Sequence, residues 1–437
     1  MKKTLSSNLN SLPARISRRG FLSTGAVGLF AGSIPGCAPY TDQDTETRPE
    51  LASPIGVDDP AWEDVRAQFI LQPGTGYMNN ASLGMPPVQV VQAVSDGYEA
   101  ISREPLLGKQ ALQLNITEIV RPAIASLFGA SPAEISLTRN ATEALHLQAI
   151  GLDLSPGAEV IITTQEHPAG YRPWMFRKMR EGIDVSEVFI PSPFVSGDEV
   201  VERLEDAITS RTRAISFCHV TRGGHRYPVE KITRMARSHG VLTLVDGAQA
   251  VGQFPIDVES LGCDAYAASL HKWLLAPVGT GFLYIREQAR NRIRTAFAPD
   301  ATLESPAYDP PGTVSFPVRS AISAALDFVN VIGLDMIEAR CRHLSSYLKQ
   351  RLSNVDAVTM FSGPTAETCS PGSTIFEVAG LDAVHAVSLL AERADIHIDE
   401  HQRDGHNAIR VSTHVYNTTA EIDRVAEVLA DFARNAG

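Results

Sequence analysis

The chain has 437 residues, 44% of them hydrophobic and 20% charged, with a formal net charge of −12. That length exceeds what one small core needs and implies a large domain plus a smaller one, while the composition is ordinary for a globular protein. The acidic balance argues against nucleic acid as the main partner, because a phosphate backbone binds basic faces.

The first 36 residues carry Lys2, Lys3, Arg15, Arg18 and Arg19 and no acid, which leaves 33 basic against 50 acidic residues in the remainder, a net −17. The run Ser17-Arg18-Arg19-Gly20-Phe21-Leu22, followed by a Gly/Ala-rich stretch to Gly36, resembles a twin-arginine export signal. Its apolar part is too short and too glycine-rich for a membrane span. Ile34-Pro35-Gly36-Cys37 is similar to a lipoprotein processing site with Cys37 as the acylated residue, and simple cleavage nearby is the alternative. Both routes imply an exported, periplasmic protein and the twin-arginine translocation machinery as a partner. The expected organisation is a signal over 1–37 and a flexible spacer over 38–56, rich in Thr, Asp, Pro and Glu. The five cysteines, Cys37, Cys218, Cys263, Cys341 and Cys369, show no paired spacing, so buried apolar roles are expected and no disulfide pair is selected.

From about Val88 to Arg286, helix-period and strand-period segments alternate. Helices are expected near 88–102 and 116–128, and short apolar runs predict strands at 158–163, 185–190, 213–219, 241–245, 264–268 and 280–285. Continuous apolar strands separated by helices imply an α/β architecture, a mostly parallel sheet covered on both faces. The break Asp309-Pro310-Pro311-Gly312 closes this region. Beyond it come a long helical pattern from Val318 to Ser353, a strand near 373–379, a helix over 382–393, a strand from Ala408 to Ser412 and a terminal helix over 419–435. The expected division is a large domain with an N-terminal segment over 57–315 and a smaller α+β domain over 316–437, with the ligand in the cleft between them.

The chemistry-bearing residues cluster at strand ends. Ser269-Leu270-His271-Lys272-Trp273 follows Val245-Asp246-Gly247-Ala248-Gln249 by about two dozen residues. A lysine at a strand end inside a cleft is desolvated enough to serve as a nucleophile, and a carboxylate closing a parallel strand reaches the ligand crevice. Thr142, in Leu137-Thr138-Arg139-Asn140-Ala141-Thr142-Glu143-Ala144-Leu145, lies near a helix N-terminus, where free N–H groups and the helix dipole attract an anion. Ser269 and His271 add donors to the same anion. A Schiff-base amine, an anion for a pyridinium nitrogen and donors for a dianionic phosphate are what pyridoxal 5′-phosphate (PLP) requires. Gln249 is placed to hydrogen-bond the phenolic oxygen of that cofactor. His167, in Glu166-His167-Pro168 after the strand Val160 to Thr164, is placed to stack on its ring and shuttle a proton. Taken alone, Asp246 reads equally as a metal ligand or helix cap, and Thr142 as a structural N-cap.

These motifs, in this order over roughly residues 70–430, resemble the class V aminotransferase family of fold type I PLP enzymes, and within it the branch around isopenicillin N epimerase. Tyr77-Met78-Asn79-Asn80-Ala81 and His414-Val415-Tyr416-Asn417 are also similar to that branch, and the export signal adds a similarity to periplasmic PLP enzymes that tailor pyoverdine siderophores. The resemblance implies a PLP fold type I large domain, with Lys272 as the lysine that holds the cofactor and Asp246 and Gln249 as ring contacts. It further implies His167 stacked on the ring, and the Ala141 backbone, Thr142, Ser269 and His271 on the phosphate. A homodimer is implied, in which Gly312-Thr313 reaches the phosphate of the neighbouring subunit. Arg410, in Ile409-Arg410-Val411-Ser412, is implied as the fork on the substrate carboxylate.

Two departures qualify it. Desulfurases of the family place a nucleophilic cysteine ahead of that arginine, whereas Ile396 to Ala408 holds His397, His401 and His406 and no cysteine, which speaks against persulfide chemistry. Arg222 stands where the family often has asparagine, pointing to a second acidic group on the substrate or to pairing with a local carboxylate. The expected activity is transamination or epimerisation at the amino group of a free or peptide-linked amino acid. A periplasmic siderophore- or peptide-tailoring lyase or oxidative enzyme, and a PLP-binding protein that has lost catalysis, are the alternatives.

Overall fold

The computed structural model describes residues 49, 51, 53–297, 308–310 and 312–436. The arginine pair, Cys37 and most of the expected spacer lie outside the described residues, as does Pro311. Among the described residues no single helix is long and apolar enough to cross a membrane.

A seven-stranded sheet runs in the order Ile135–Thr138, Gly281–Ile285, Ala265–Ser269, Leu242–Asp246, Thr212–Cys218, Glu159–Thr163, Asp184–Val188. Every strand is parallel except Gly281–Ile285, which is antiparallel to both of its neighbours. The apolar runs behave as expected for strands buried on both faces. Ile161, Ile215 and Val245 point into one core, while Val160, Ile162, Ala214 and Leu244 point into the other, following the two-residue period of the pleat. The parallel strands therefore end side by side, presenting Thr163, Cys218, Asp246 and Ser269 at one edge of the sheet.

A second, antiparallel sheet runs Asp399–Arg403, His406–Ser412, Ser373–Val378, Val358–Met360. Its core includes Phe376, Ile409, Val411, Leu344 and Leu429, together with Met78 from the N-terminal segment. That segment enters as a strand, Gly76–Tyr77, paired in parallel with Ile396–His397.

Two expectations need correction. The helix near 116–128 begins much earlier, as Pro105–Asn115 continuing through a π-helical turn Ile116–Val120 into Arg121–Phe128. Its first part is only weakly periodic, with several of its leucines exposed, and it is anchored by backbone proximity: a Cβ on Gly108 would lie 2.5 Å from the Ala100 carbonyl oxygen of the preceding helix. The long pattern from Val318 to Ser353 is three helices, Phe316–Ser320, Ile322–Ile332 and Leu334–Leu352. Gly333, at φ 86°, breaks the last two and lets them bend by 74°. Asp399–Arg403, for which the sequence predicts no element, forms a further strand. Its sequence, DEHQR, has no apolar alternation to announce it.

Candidate active site

A cavity of ≈ 780 Å³ opens at the ends of the parallel strands. It is lined by Ala141, Thr142, His167, Asp246, Gln249, Ser269 and Lys272, and by Arg222 and Arg410 from the expected substrate set. Two expected residues are elsewhere. His271 is tied by Nδ1 to the Thr280 carbonyl oxygen at 2.9 Å and does not line the cavity. Thr313, expected on the phosphate of a neighbouring subunit rather than its own, is exposed and lies outside this lining.

The sheet end of the cavity is built largely from backbone anchors. Asp246 is buried, and its Oδ1 accepts the Ala248 N–H at 2.9 Å. Burial raises its carboxyl above the ordinary value, while that N–H and the Lys272 amine oppose the rise. Lys272 follows the strand Ala265–Ser269 by three residues, and burial pushes its amine down to about 8, against the pull of Asp246. The turn carrying it is clasped by the N-terminal segment. Gly84 donates to the His271 carbonyl at 2.9 Å, so closely that a Cβ there would sit 1.8 Å from the Lys272 oxygen. Gln249 Nε2 donates to the Ala81 carbonyl at 2.8 Å, and its Oε1 accepts from Trp273 Nε1 at 2.8 Å. One Nε2 proton therefore remains beyond these two bonds.

The phosphate-type corner lies where the helix Ala141–Gly151 begins. Asn140 caps it through a bond from the Glu143 N–H at 2.9 Å, and Ser269 Oγ accepts the Ala141 N–H at 2.9 Å. Gly281 lets the neighbouring strand approach: a Cβ there would lie 2.8 Å from the Asn140 Cα. His167 caps the next helix, Pro168–Glu181, with Nδ1 accepting the Ala169 N–H at 3.1 Å. That bond places the ring proton on Nε2. Burial and the cations Lys272, Arg222, Arg403 and Arg172 push the imidazole down to about 4, so it is neutral near pH 7.

Several lining residues went unassigned from sequence. Glu166 is a second buried carboxyl: its Oε1 accepts from Thr163 Oγ1 at 2.7 Å and from the Cys218 N–H at 3.2 Å, while Oε2 has no hydrogen-bond partner. Burial, with a contribution from Asp246, pushes it up to about 8. Gly170 makes room for this carboxyl, since a Cβ there would lie 3.3 Å from Glu166 Oε2. Cys218 lines the same wall, and burial together with those two acids holds its thiol well above its ordinary value. Cys218, Cys263, Cys341 and Cys369 are all buried and free, as their spacing suggested.

The opposite end is ionic. Arg410 NH2 contacts Asp399 Oδ2 and donates to Asn79 Oδ1 at 3.2 Å. Arg222 NH2 lies 2.8 Å from Glu400 Oε1 and 3.3 Å from Asp399 Oδ2, so the second of the two pairings left open by its sequence is the one formed. Arg403 donates to the carbonyls of Thr164 and Glu166 at 2.8 and 2.6 Å, closing the small sheet onto the wall that carries His167. Behind Lys272, the two terminal motifs meet: Tyr416 Oη donates to Asn80 Oδ1 at 2.8 Å, and Asn417 Nδ2 to the Tyr77 carbonyl at 2.9 Å.

These groups fit PLP. A depressed lysine amine, a buried carboxylate facing it and a helix start lined by Ser269 and Thr142 share one cavity, and a flat neutral imidazole projects into it. Comparison with known proteins agrees. The chain is 32% identical over 402 residues to an isopenicillin N epimerase of Amycolatopsis lactamdurans, covering 86% of this chain and 99% of the relative. It is also 29% identical over 404 residues to a probable cysteine desulfurase of Methanothermobacter thermautotrophicus, covering 85% and 98%. Among solved structures, a C-DES mutant with glycine covalently linked to its PLP cofactor superposes with a TM-score of 0.77 at 24% identity, covering 84% of this chain and 99% of that one, which establishes the shared fold. The model of the aminotransferase class-V family matches residues 76–425, so the chain belongs to that family of pyridoxal phosphate enzymes.

Proposed function

We propose that this enzyme moves the Cα proton of a free or peptide-linked amino acid, giving transamination or epimerisation, and that it is not a cysteine desulfurase. Bound PLP supplies a sink for the electron pair left at Cα when that proton departs. The rest falls to side chains of this chain. Ser269, Thr142 and the Ala141 backbone would hold the phosphate, and Asp246 would hold the ring nitrogen protonated. Because burial alone disfavours the charge on Asp246, a cation opposite it is what restores the carboxylate. His167, neutral and fixed by its cap bond, would lie against the ring. Lys272, with its amine pushed down to about 8, has an unprotonated fraction near neutral pH and is the base that takes and returns the proton. Arg410 would orient the substrate through its carboxylate.

The observation that carries this reading is that the buried Lys272 amine and the buried Asp246 carboxyl line one cavity whose one cysteine among the described residues, Cys218, is itself buried, with its thiol pushed well above its ordinary value. A thiol in that state is a poor nucleophile. The test is incubation with amino acids in deuterated water. Cα deuteration with the configuration inverted and the amine retained indicates epimerisation, and keto-acid release indicates transamination. Sulfide release from cysteine at a comparable rate overturns the assignment.

Two wider parts of the proposal rest on other features. A homodimer is supported by Leu106, Leu107 and Leu114, 67%, 61% and 62% exposed on one helix, and by Thr313 standing outside its own cavity. Sedimentation of a Leu107→Glu, Leu114→Glu double variant as a monomer would support it. Export is supported by Ser17 to Leu22, and transport of a fused reporter that persists when Arg18 and Arg19 become lysine would rule out the twin-arginine route.

A further inference from the structure

Arg410 already has a carboxylate on it. Asp399 and Arg410 are direct partners across the antiparallel pair of strands Asp399–Arg403 and His406–Ser412, and the register brings Asp399 Oδ2 onto Arg410 NH2. The same oxygen lies 3.3 Å from Arg222 NH2, and Glu400 Oε1 lies 2.8 Å from that nitrogen. The guanidinium groups of Arg410 and Arg222 thus each already face a carboxylate before any substrate enters. The partners differ in freedom: the Arg410 side chain is 3% exposed, whereas that of Asp399 is 25% exposed and lies on the outermost strand of its sheet.

The guanidinium is nonetheless incompletely used. Its buried Nε has no partner, and NH1 reaches only the Arg222 carbonyl at 3.4 Å. Leaving a buried donor unmet is unfavourable, and a planar carboxylate is the shape that fills a guanidinium edge. Arg222 offers Asp399 a second cation within reach, so leaving Arg410 does not strand a buried charge. We propose that Asp399 is a specificity-determining residue: it occupies Arg410 as an internal competitor, and an incoming carboxylate takes its place while Asp399 falls back on Arg222. Any carboxylate-bearing substrate is then bound more weakly than the bare arginine would bind it, by the fraction of time Asp399 leaves the site open. Amines without a carboxylate are unaffected, so Asp399 narrows the difference between the two classes.

This inference rests on Arg410 being the carboxylate site, and its test is independent of turnover. Propionate serves as a probe that carries the carboxylate but no amine and cannot react at Lys272, with binding to the holoenzyme read by calorimetry. Asp399→Asn, which keeps shape and removes charge, should tighten propionate at least about fivefold, about 1 kcal/mol. Asp399→Ser guards against a local packing effect of the amide and should act in the same direction. Adding Arg410→Ala should abolish the gain. Unchanged or weaker binding in both Asp399 variants overturns the proposal, because it makes Asp399 a support for Arg410 rather than its competitor. A gain that survives Arg410→Ala overturns it too, and removes Arg410 from the substrate site. Failure of the proton-transfer reading would instead show as wild-type protein that binds propionate as described yet labels no amino acid at Cα.

Discussion

Asp246 ends a strand of a sheet buried on both faces and Lys272 stands on a turn leaving it, whereas Arg410 and Asp399 face one another across two strands of a small sheet whose outer strand is polar throughout. The first pair is fixed largely by backbone: the Ala248 N–H holds Asp246, and the Gly84 N–H holds the turn of Lys272. The second pair is held by charge, in a network that a ligand of the same charge can enter. One end of the cavity is built for constancy of geometry and the other for exchange of partners, which is the division expected if the reaction is common to a family and the substrate is not.

Substitutions at the constant end should cost the most. Lys272→Ala should lower kcat by about 10²–10⁴-fold, the span typical of a lost acid–base group, and should leave no cofactor fixed to the protein by borohydride in a mass-mapped digest. Label on another side chain would move the catalytic lysine. Asp246→Asn should cost on the order of 10²-fold in kcat. Because Asp246 holds the Lys272 amine up against its burial, the variant should also shift the lysine's titration below about 8, read from the pH dependence of the rate at which the apoprotein takes up the cofactor. An unmoved titration would mean that the two charges do not communicate. At the exchangeable end, Arg410→Ala should raise KM for a carboxylate substrate about ten- to hundredfold with kcat changed little, the effect of losing charge-assisted hydrogen bonds worth about 1.5–3 kcal/mol. A fall in kcat with constant KM would erase the contrast between the two ends.

The smallest expected effect concerns Glu166. Burial raises its carboxyl from 4.5 to about 8, so the folded state keeps a proton that the unfolded chain has released. The resulting stability is fully present below about pH 4.5 and is lost as pH rises toward 8, by up to about 1.4 kcal/mol per pH unit. Lys272, lowered from 10.5 to about 8, acts in the next window: its penalty is full below about 8 and fades as pH climbs toward 10.5. Glu166→Gln should therefore flatten the fall in the denaturation midpoint of the apoprotein below about pH 8. An unchanged slope would place that proton on another group.

Legibility in the sequence followed the same division. Strands such as Glu159–Thr163 and Leu242–Asp246 fell within a residue or two of their apolar runs, because burial on both faces leaves an uninterrupted hydrophobic signal. Lys272, Asp246, His167 and Thr142 follow or begin elements next to such runs, so locating the strand located the residue. Asp399 could not be found that way. Its relation to Arg410 is a register between two strands, one of which has no apolar pattern, and pairing across strands leaves no mark in a single sequence. Glu166 was visible only as the neighbour of His167, since its isolation from solvent comes from Thr163, Cys218 and Gly170, which meet it only in the fold. Gly333 was read through as part of one helix because helical periodicity resumes after it, and a single positive φ does not disturb that count.

The strand Gly76–Tyr77 beside Ile396–His397 has a consequence for how the molecule is made. Asn80 needs Tyr416, and the clasp around Lys272 needs Gly84, so residues more than 300 positions apart complete one wall. A nascent chain on the ribosome cannot finish this wall until the segment that carries Tyr416 has emerged. Capture of the cofactor in its final geometry therefore waits for Tyr416, and a polypeptide cut before that residue should retain the large sheet yet load poorly.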